Sequence, residues 1–457
     1  MAETLPHVQA DLARLLNNLA GRQRDMGQRA KALASIAEAV RIYRTLAEAA
    51  PDAFLPGLAA SLNNQSAIQS KVGQRAEALA SGAEAVRIYR ALAEANPGAF
   101  LPDLAMSLNN QANMQSEMGQ RVEALASSAE AASHYRALAE ANPGVLIPDL
   151  AGSLINQSIM QSEMGQRAEA LASITEAVCH YRALADANPD AFLSYLATSL
   201  NNQANRQSEM GQSAEALASV AEAVHVRRAL AQANPDAFLP DLAGSLTVQA
   251  NSQHEMGLRV EALASIDEGV RIYRALAEAS PGAFLPGLAG MLNNQATMQG
   301  EMGQPAEALV SVTEAVRHYR SLSEANPDAF LSGLAMSLNN QANHQSAMGQ
   351  RAEALASSAE AVRIYRSLAV ANPDAFTPDL ARSLGVHAVC LERMEKFAEG
   401  RDAAAESLRV LAPMFSRYPG VFDGLAKATC RDYADRSQRL GLEQDLKVLS
   451  PYLLLFE

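Results

Sequence analysis

The stretch Met348-Gly-Gln-Arg-Ala-Glu-Ala-Leu-Ala-Ser357 decides the fold of this chain, because an identical copy stands at 164–173 and close relatives occur throughout. Its glycine recurs every 46 residues without an insertion or deletion, at Gly27, Gly73, Gly119, Gly165, Gly211, Gly257, Gly303 and Gly349. A proline keeps the same spacing, at Pro51, Pro97, Pro143, Pro189, Pro235, Pro281, Pro327, Pro373 and Pro419. Two breaking residues in each period predict two secondary-structure elements per repeat.

The elements between these breakers are predicted to be helices. Each segment is about twenty residues long, and its apolar residues recur at spacings of three and four, which is the helical period. Between Pro51 and Gly73 the apolar stripe includes Phe54, Leu58 and Leu62. Between Gly73 and Pro97 it includes Ala78, Ala85, Val86, Tyr89 and Leu92. We name the first segment helix A and the second helix B.

The junctions between repeats carry their own signals. Most copies pass from helix B to the next helix A through Asn-Pro, as at Asn96-Pro97, and asparagine before proline both stops a helix and caps the next one. A second proline or serine recurs five residues later, at Pro56, Pro102, Pro148, Ser194, Pro240, Pro286, Ser332 and Pro378. Because proline favours helix starts, we expect the regular part of helix A to begin there, with Gly98 and Asp190 in a short turn.

The repeat organisation predicts how the chain divides. Residues 1–457 are expected to form a single repeat array, because repeats of this kind bury their apolar faces on their neighbours. Residues 1–50 make the first helix pair, and 51–372 make seven near-identical 46-residue repeats. Residues 373–457 make a divergent C-terminal repeat and capping helices. The apolar tail 452–456 is expected to seal the last helix pair, and the alternative is that it contacts another chain.

Composition excludes several classes of function. The net charge of -13 argues against nucleic-acid binding, which usually needs a basic stripe. We expect no membrane association, since there is neither a signal peptide nor a run of apolar residues long enough to span a bilayer. Cys179, Cys390 and Cys430 follow no disulfide or zinc pattern, which fits a cytoplasmic protein.

Leu108-Asn-Asn-Gln-Ala112 followed by Met118-Gly-Gln-Arg-Val-Glu-Ala-Leu125 resembles the tetratricopeptide repeat (TPR). In that family a glycine ends helix A and two alanines follow in helix B; Gly119, Ala124 and Ala131 hold those places here. The long repeats look most like bacterial arrays related to kinesin light chain. The resemblance implies an all-α fold, an α-solenoid of antiparallel helix pairs wound into a right-handed superhelix.

The chain departs from the TPR pattern in length and in two polar positions. Its period of 46 residues exceeds the family's usual length of about 34 residues. Glutamine replaces an apolar residue of helix A at Gln65 and an aromatic one at Gln69, and both replacements recur in later repeats. Burying an amide without a partner is costly, so we expect these glutamines to hydrogen-bond to side chains or helix termini and to fix the register between repeats.

Asparagines of helix A are the candidate binding residues. In TPR arrays the matching positions line the concave face, where amides offer a donor and an acceptor to an extended peptide backbone. The candidates fall into two classes of equivalent positions. The first class, in which Val248 replaces one asparagine, contains Asn64, Asn110, Asn156, Asn202, Asn294 and Asn340. The second class contains Asn113, Asn205, Asn251 and Asn343. The alternative is that these amides bond neighbouring helices and specify packing alone.

The sequence contains no pattern typical of catalysis. His134, His180 and His318 share one position of helix B, and no carboxylate is expected beside them at ligand spacing, so neither a metal site nor a catalytic residue is predicted. Phosphate-binding loops and nucleophile motifs are absent, and no cofactor is expected. The charged residues of helix B are expected to form short-range pairs, such as Arg90 with Glu94.

These observations predict a non-enzymatic TPR-type scaffold that binds a protein or peptide along the face lined by helices A. One alternative is a sensory or regulatory repeat array that controls a separate effector. Another is a structural repeat protein that self-assembles, since self-association through the ends of the array remains open. The sequence does not identify a partner.

Overall fold

The computed structural model describes residues 4–418 and 420–455, so Pro419 and Phe456 lie outside the described residues. These residues contain helices and no strand, as the sequence predicts. Helices A are α1 (Thr4–Asp25), α3 (Pro51–Lys71), α5 (Pro97–Glu117), α7 (Pro143–Glu163), α9 (Pro189–Glu209), α11 (Pro235–Glu255), α13 (Pro281–Glu301), α15 (Pro327–Ala347) and α17 (Pro373–Arg393). Helices B are α2 (Arg29–Ala49), α4 (Arg75–Ala95), α6 (Arg121–Ala141), α8 (Arg167–Ala187), α10 (Ser213–Ala233), α12 (Arg259–Ala279), α14 (Pro305–Ala325), α16 (Arg351–Ala371) and α18 (Phe397–Arg417).

The turn from helix A to helix B depends on the recurrent glycine. Gly119, for example, has a φ of 75°, a left-handed conformation that glycine adopts at no steric cost. The N–H of Gln120 donates to the carbonyl of Gln115 at 2.8 Å across this turn. Such a bond satisfies a carbonyl left free at the end of helix A and turns the chain back into an antiparallel helix B.

The turn from helix B to the next helix A consists of a single residue. Asn188, between α8 and α9, has φ −145° and ψ 83°, and its Oδ1 accepts from the N–H of Ala191 at 3.4 Å. Asn234, Asn326 and Asn372 make the same capping bond. The predicted capping by asparagine is therefore confirmed at these four positions, whereas Asn96 makes no side-chain capping bond.

The predicted start of helix A at the second proline is wrong. Helix A begins at the first proline, so Gly98 and Asp190 are helical, and Pro56 lies inside α3. The first proline occupies the first helical position, where a missing N–H costs nothing. Pro56 therefore lies in the second turn of the helix, where its missing N–H removes one backbone hydrogen bond without ending the helix.

The chain divides into two compact units, Met1–His180 and Tyr181–Glu457. In the first unit, Leu58 and Leu62 of α3 pack with Val86 and Tyr89 of α4 and with Val40 of α2. Each helix A in this cluster therefore lies against its own helix B and the preceding one.

The second unit repeats this packing, with Leu338 of α15 and Leu384 of α17 in one cluster with Val362 and Tyr365 of α16. It ends in α19 (Asp423–Arg439), α20 (Leu446–Leu449) and a 3₁₀ helix (Ser450–Leu455). The fully buried Tyr452 donates its hydroxyl to the carbonyl of Leu408 at 2.6 Å, which ties the 3₁₀ helix to α18.

Candidate functional site

The first asparagine of each Leu-Asn-Asn motif bonds the next helix A. Nδ2 of Asn63 donates to Ser107 Oγ at 2.6 Å, and Nδ2 of Asn201 donates to Ser245 Oγ at 2.8 Å. Oδ1 of Asn339 accepts from Ser383 Oγ at 3.0 Å. These asparagines, which are not among the candidate binding residues, hold successive helices A together.

The second asparagine of the motif belongs to the predicted set, and its environment varies. Asn64 donates to Asn17 at 3.0 Å and Asn340 donates to Asn293 at 3.1 Å, so these two amides bond a neighbouring helix A. The remaining members are half-buried, and the structure shows no side-chain hydrogen bond from any of them to another described residue: Asn110, Asn156, Asn202 and Asn294.

The other predicted class lies three residues further along helix A. Asn113 and Asn205 are half-buried, whereas Asn251 and Asn343 are exposed. Within the described residues, none of these four side chains makes a hydrogen bond. In each unit, we call the surface formed by both predicted classes the asparagine face. Most of its amides are left available by the fold itself.

The glutamines of the Gln69 class are bonded, as predicted, but within each repeat. Oε1 of Gln115 accepts from Ser127 Oγ at 2.8 Å, which joins helix A to its own helix B. The same bond recurs in both units, at Gln23, Gln69, Gln161, Gln207, Gln253, Gln299 and Gln345. In the Gln65 class, Nε2 of Gln295 donates to Asp267 at 2.7 Å and Nε2 of Gln341 donates to Thr313 at 3.1 Å, both on the preceding helix B. The expected bonds between repeats are therefore found at these two glutamines, whereas the expectation is wrong for the Gln69 class, whose serine stands twelve residues later in the same repeat.

A cavity of about 490 Å³ opens on the asparagine face of the second unit. Asn340 and Asn343 of α15 line it, together with Asn339, which the prediction did not include. Its other lining residues come from α15, α16 and α17: Ser332, Gly333, Met336, Tyr365, Phe376, Asp379, Arg382 and Val386. Met336 and Arg382 hold equivalent positions, 46 residues apart, at which the residue type differs between repeats. Only the structure shows that they meet in one cavity.

The chemistry of this cavity is mixed. Phe376, Met336 and Val386 supply apolar surface, and amides stand beside them. Arg382 donates to the carboxylate of Asp379 at 2.7 Å, so the one cation and the one carboxylate of the lining neutralise each other. Apolar walls with a few placed polar groups are typical of ligand sites. The arrangement is suited to a neutral segment with an apolar side chain.

Arg227 of α10 occupies the position that corresponds to Tyr365 of the cavity lining, and it places a cation there. The other helices B from α2 to α16 carry tyrosine there, including Tyr273 and Tyr365, and α18 carries Leu411. Arg227 is only 6% exposed. Its Nη1 donates to the carbonyl of Asp241 at 2.6 Å and to Ser245 at 2.8 Å, and its Nη2 donates to Thr198 at 2.9 Å. The buried Nε has no partner, and burial lowers the pKa of Arg227 while the charge of Asp241 raises it.

Two predictions about the helix B surface are corrected. Arg90 pairs with Glu130 of the next helix B at 2.7 Å, not with Glu94, because residues forty apart face each other across adjacent repeats. His134 lies 3.6 Å from Glu130, and His180 and His318 likewise have a glutamate one turn earlier, so carboxylates do accompany these histidines. Within residues 4–418 and 420–455, no group of three metal-ligating side chains converges to hold an ion.

A sequence model of the family described as "Anaphase-promoting complex subunit 5" matches residues 9–51, 56–97, 102–202, 187–239, 288–332 and 319–369, which together make up more than half of the chain. The chain belongs to this family. Several matched segments correspond to one helix A followed by one helix B, and the family's repeats are TPR-like, which confirms the resemblance found in the sequence. The comparison with curated proteins finds no match.

Among solved structures, RapI shares the helical fold of this chain, and two further repeat proteins are similar to parts of it. RapI in its apo form has a TM-score of 0.50 and 12% identity, covering 94% of this chain and 98% of its own. BtubC (BKLC) from P. vanneervenii has a TM-score of 0.44 and 17% identity, covering 53% and 90%. A putative kinesin light chain from Podosopora anserina, with nearly identical TPR-like repeats, has a TM-score of 0.36 and 17% identity, covering 48% and 95%. No described helix of this chain is long and apolar enough to cross a bilayer.

The two kinds of polar contact predict different effects on stability. Ser127→Ala leaves the buried oxygen of Gln115 unpaired and is expected to lower the free energy of unfolding by about 1–3 kcal/mol. Asn110→Ala removes no side-chain hydrogen bond to a described residue and is expected to change the free energy of unfolding by less than about 0.5 kcal/mol. Urea denaturation of both variants checks this. Equal destabilisation by the two would show that Asn110 serves packing.

Arg227 is expected to make the protein less stable than a tyrosine at the same position would. Arg227→Tyr should raise the free energy of unfolding by about 0.5–2 kcal/mol, because a buried cation with no ion-paired carboxylate is replaced by the residue of the other helices B from α2 to α16. The reverse change, Tyr273→Arg, is the matched control and should destabilise the protein. A loss of stability in both variants, measured by urea denaturation, would show that the three hydrogen bonds of Arg227 outweigh its burial.

Proposed function

We propose that this protein is a non-enzymatic scaffold that binds an extended segment of another protein along the asparagine face. The observation that carries the proposal is the cavity between α15 and α17, into whose lining the sequence-predicted Asn340 and Asn343 both fall. Asn343, whose side chain makes no hydrogen bond within the described residues, retains both a donor and an acceptor for a peptide backbone, whereas Asn340 already donates to Asn293. The proposal includes no cofactor, metal or catalytic residue.

The distribution of bonded and unbonded amides supports a binding role. An array that used asparagine for packing alone would pair these amides with neighbouring helices, as it does for Asn63 and Asn201. Asn343 is instead exposed and unbonded within the described residues, and it stands beside the apolar surface of Met336 and Val386. Backbone recognition by the amide and side-chain recognition by the apolar walls would then operate in one place.

The class of partner is supported by the family. Its sequence model is named for a subunit of a complex, and a subunit is held in place by contacts with other proteins. The described face of this chain offers no basic stripe, and its cavity contains one neutralised ion pair. We therefore propose a protein segment of low charge with at least one apolar anchor.

Selection of random twelve-residue peptides displayed on phage against the full chain tests this function. A selected peptide, synthesised with a fluorescent label, should bind in a fluorescence-polarisation titration. Asn343→Ala is expected to weaken its binding by about 1–3 kcal/mol, because backbone groups of the peptide lose their partners.

The matched control lies on the outer face of α14, where Val310 and Arg317 line a separate cavity of about 650 Å³. Val310→Ala with Arg317→Ala should leave the affinity of the selected peptide unchanged. Failure to enrich any peptide would contradict the proposed function. Enrichment of peptides that respond to the control variant and not to the asparagine variant would place binding on the other face.

A further inference from the structure

Helix α1 carries an apolar stripe that no described element covers. Val8, Leu12, Leu15 and Leu19 are 63%, 49%, 63% and 43% exposed. The opposite side of the helix is already occupied, because Ala13 and Ala20 are fully buried in clusters with residues of α2. Helix α1 is therefore apolar on two faces, and only one of them is used within the described chain.

The stripe is unlike the rest of the described surface. Every other described helix carries at most one exposed large apolar residue, such as Val122 on α6 or Val260 on α12. Scattered single residues of this kind are normal on protein surfaces, whereas a contiguous row marks a contact site. The four residues follow one another over about 16 Å of helix, which corresponds to three turns.

The stripe occupies the position of a repeat interface. Forty-six residues later, Phe54 and Leu58 of α3 hold the places of Val8 and Leu12. Leu58 is buried in one cluster with Val40 and Ala47 of the preceding helix B, and Phe54 packs against that cluster. The face exposed on α1 is thus the one with which α3 binds another helix, and it fits a helix as its occupant.

The spacing of the stripe favours a second copy of α1 as the helix that covers it. The four residues stand four, three and four positions apart, and this order reads the same in both directions. Two antiparallel copies of α1 therefore place Val8 against Leu19 and Leu12 against Leu15 throughout. Alternation of three and four is also the spacing with which two helices pack side by side over several turns.

The described elements that follow α19 do not offer a comparable partner. They are a four-residue helix and a 3₁₀ helix, and Tyr452 of the 3₁₀ helix is already buried against α18. Leu446 and Leu453 are exposed there, one on each short element. A stripe of three helical turns cannot be matched by these elements, so a head-to-tail contact is disfavoured.

We infer that α1 is a homodimerisation helix, which pairs with α1 of a second copy in a two-fold antiparallel contact through Val8, Leu12, Leu15 and Leu19. A two-fold contact uses the same patch on both copies and closes after two, so it produces dimers and no fibres. The inference does not depend on the proposed function, because α1 contributes no residue to the cavity between α15 and α17.

Sedimentation equilibrium of the full chain tests the contact. The mass should rise from 48.5 kDa towards twice that value as the concentration increases from about 1 to 100 μM, the range expected for a small interface. Leu12→Gln with Leu15→Gln should keep the chain monomeric at about tenfold higher concentration, with an unchanged circular dichroism spectrum because both side chains are exposed. Val122→Gln with Val260→Gln is the matched control and should dimerise as the natural chain does.

Disulfide trapping tests the register, in a Cys179→Ser background because Cys179 is the exposed cysteine and Cys390 and Cys430 are buried. A mixture of Val8→Cys and Leu19→Cys chains should form a mixed disulfide, whereas neither variant alone should cross-link with itself. A chain that stays at 48.5 kDa throughout, a dimer that persists in Leu12→Gln with Leu15→Gln, or self-cross-linking of Val8→Cys would each overturn the inference.

Discussion

The fixed length of the two turns is the constraint on which the rest of the structure depends. Helix A passes to helix B through a left-handed glycine, with φ between 71° and 84° from Gly27 to Gly349, and helix B passes to the next helix A through one extended residue. Helices α2 to α18 are all 21 residues long. Because the turns between α1 and α18 keep the same lengths, equivalent residues occupy the same position of their helix in each repeat, and the same contact recurs from repeat to repeat. Glu395, the one described non-glycine residue with a positive φ, occurs where the sequence also begins to diverge.

The elements that could be predicted from the sequence are those set by local chemistry. Glycine and Asn-Pro fix where helices end, and the three-four spacing of apolar residues fixes their type, so the helix pairs followed directly. Contacts between helices were harder to predict from the sequence. Arg90 has a carboxylate within reach on its own helix in Glu94, yet it pairs with Glu130, because adjacent helices B run side by side at that point. Likewise the periodicity showed that Gln115 needs a partner but not that Ser127 is the nearest one.

The candidate site was predicted in part. Asn340 and Asn343 reach a cavity, but so does Asn339, whose main contact is structural. A single sequence shows three asparagines on one helix and does not distinguish a bonded amide from an available one, since that depends on what the neighbouring helix places opposite. The variable position at Arg382 was visible as variation, whereas its ion pair with Asp379 was not. Arg227 shows that the same framework tolerates a buried cation at a tyrosine position, so the character of the asparagine face changes from one repeat to another.

The central claim is that the asparagine face is the surface that contacts a partner segment. Photo-cross-linking tests it most directly, with a selected peptide that carries a benzophenone side chain and with mass spectrometry to locate the attachment. The account predicts attachment to residues that line the cavity between α15 and α17, such as Met336 and Val386. Attachment to the cavity on the outer face of α14, at Leu309 or Val310 of that helix or at Met348 in the turn after α15, would contradict it.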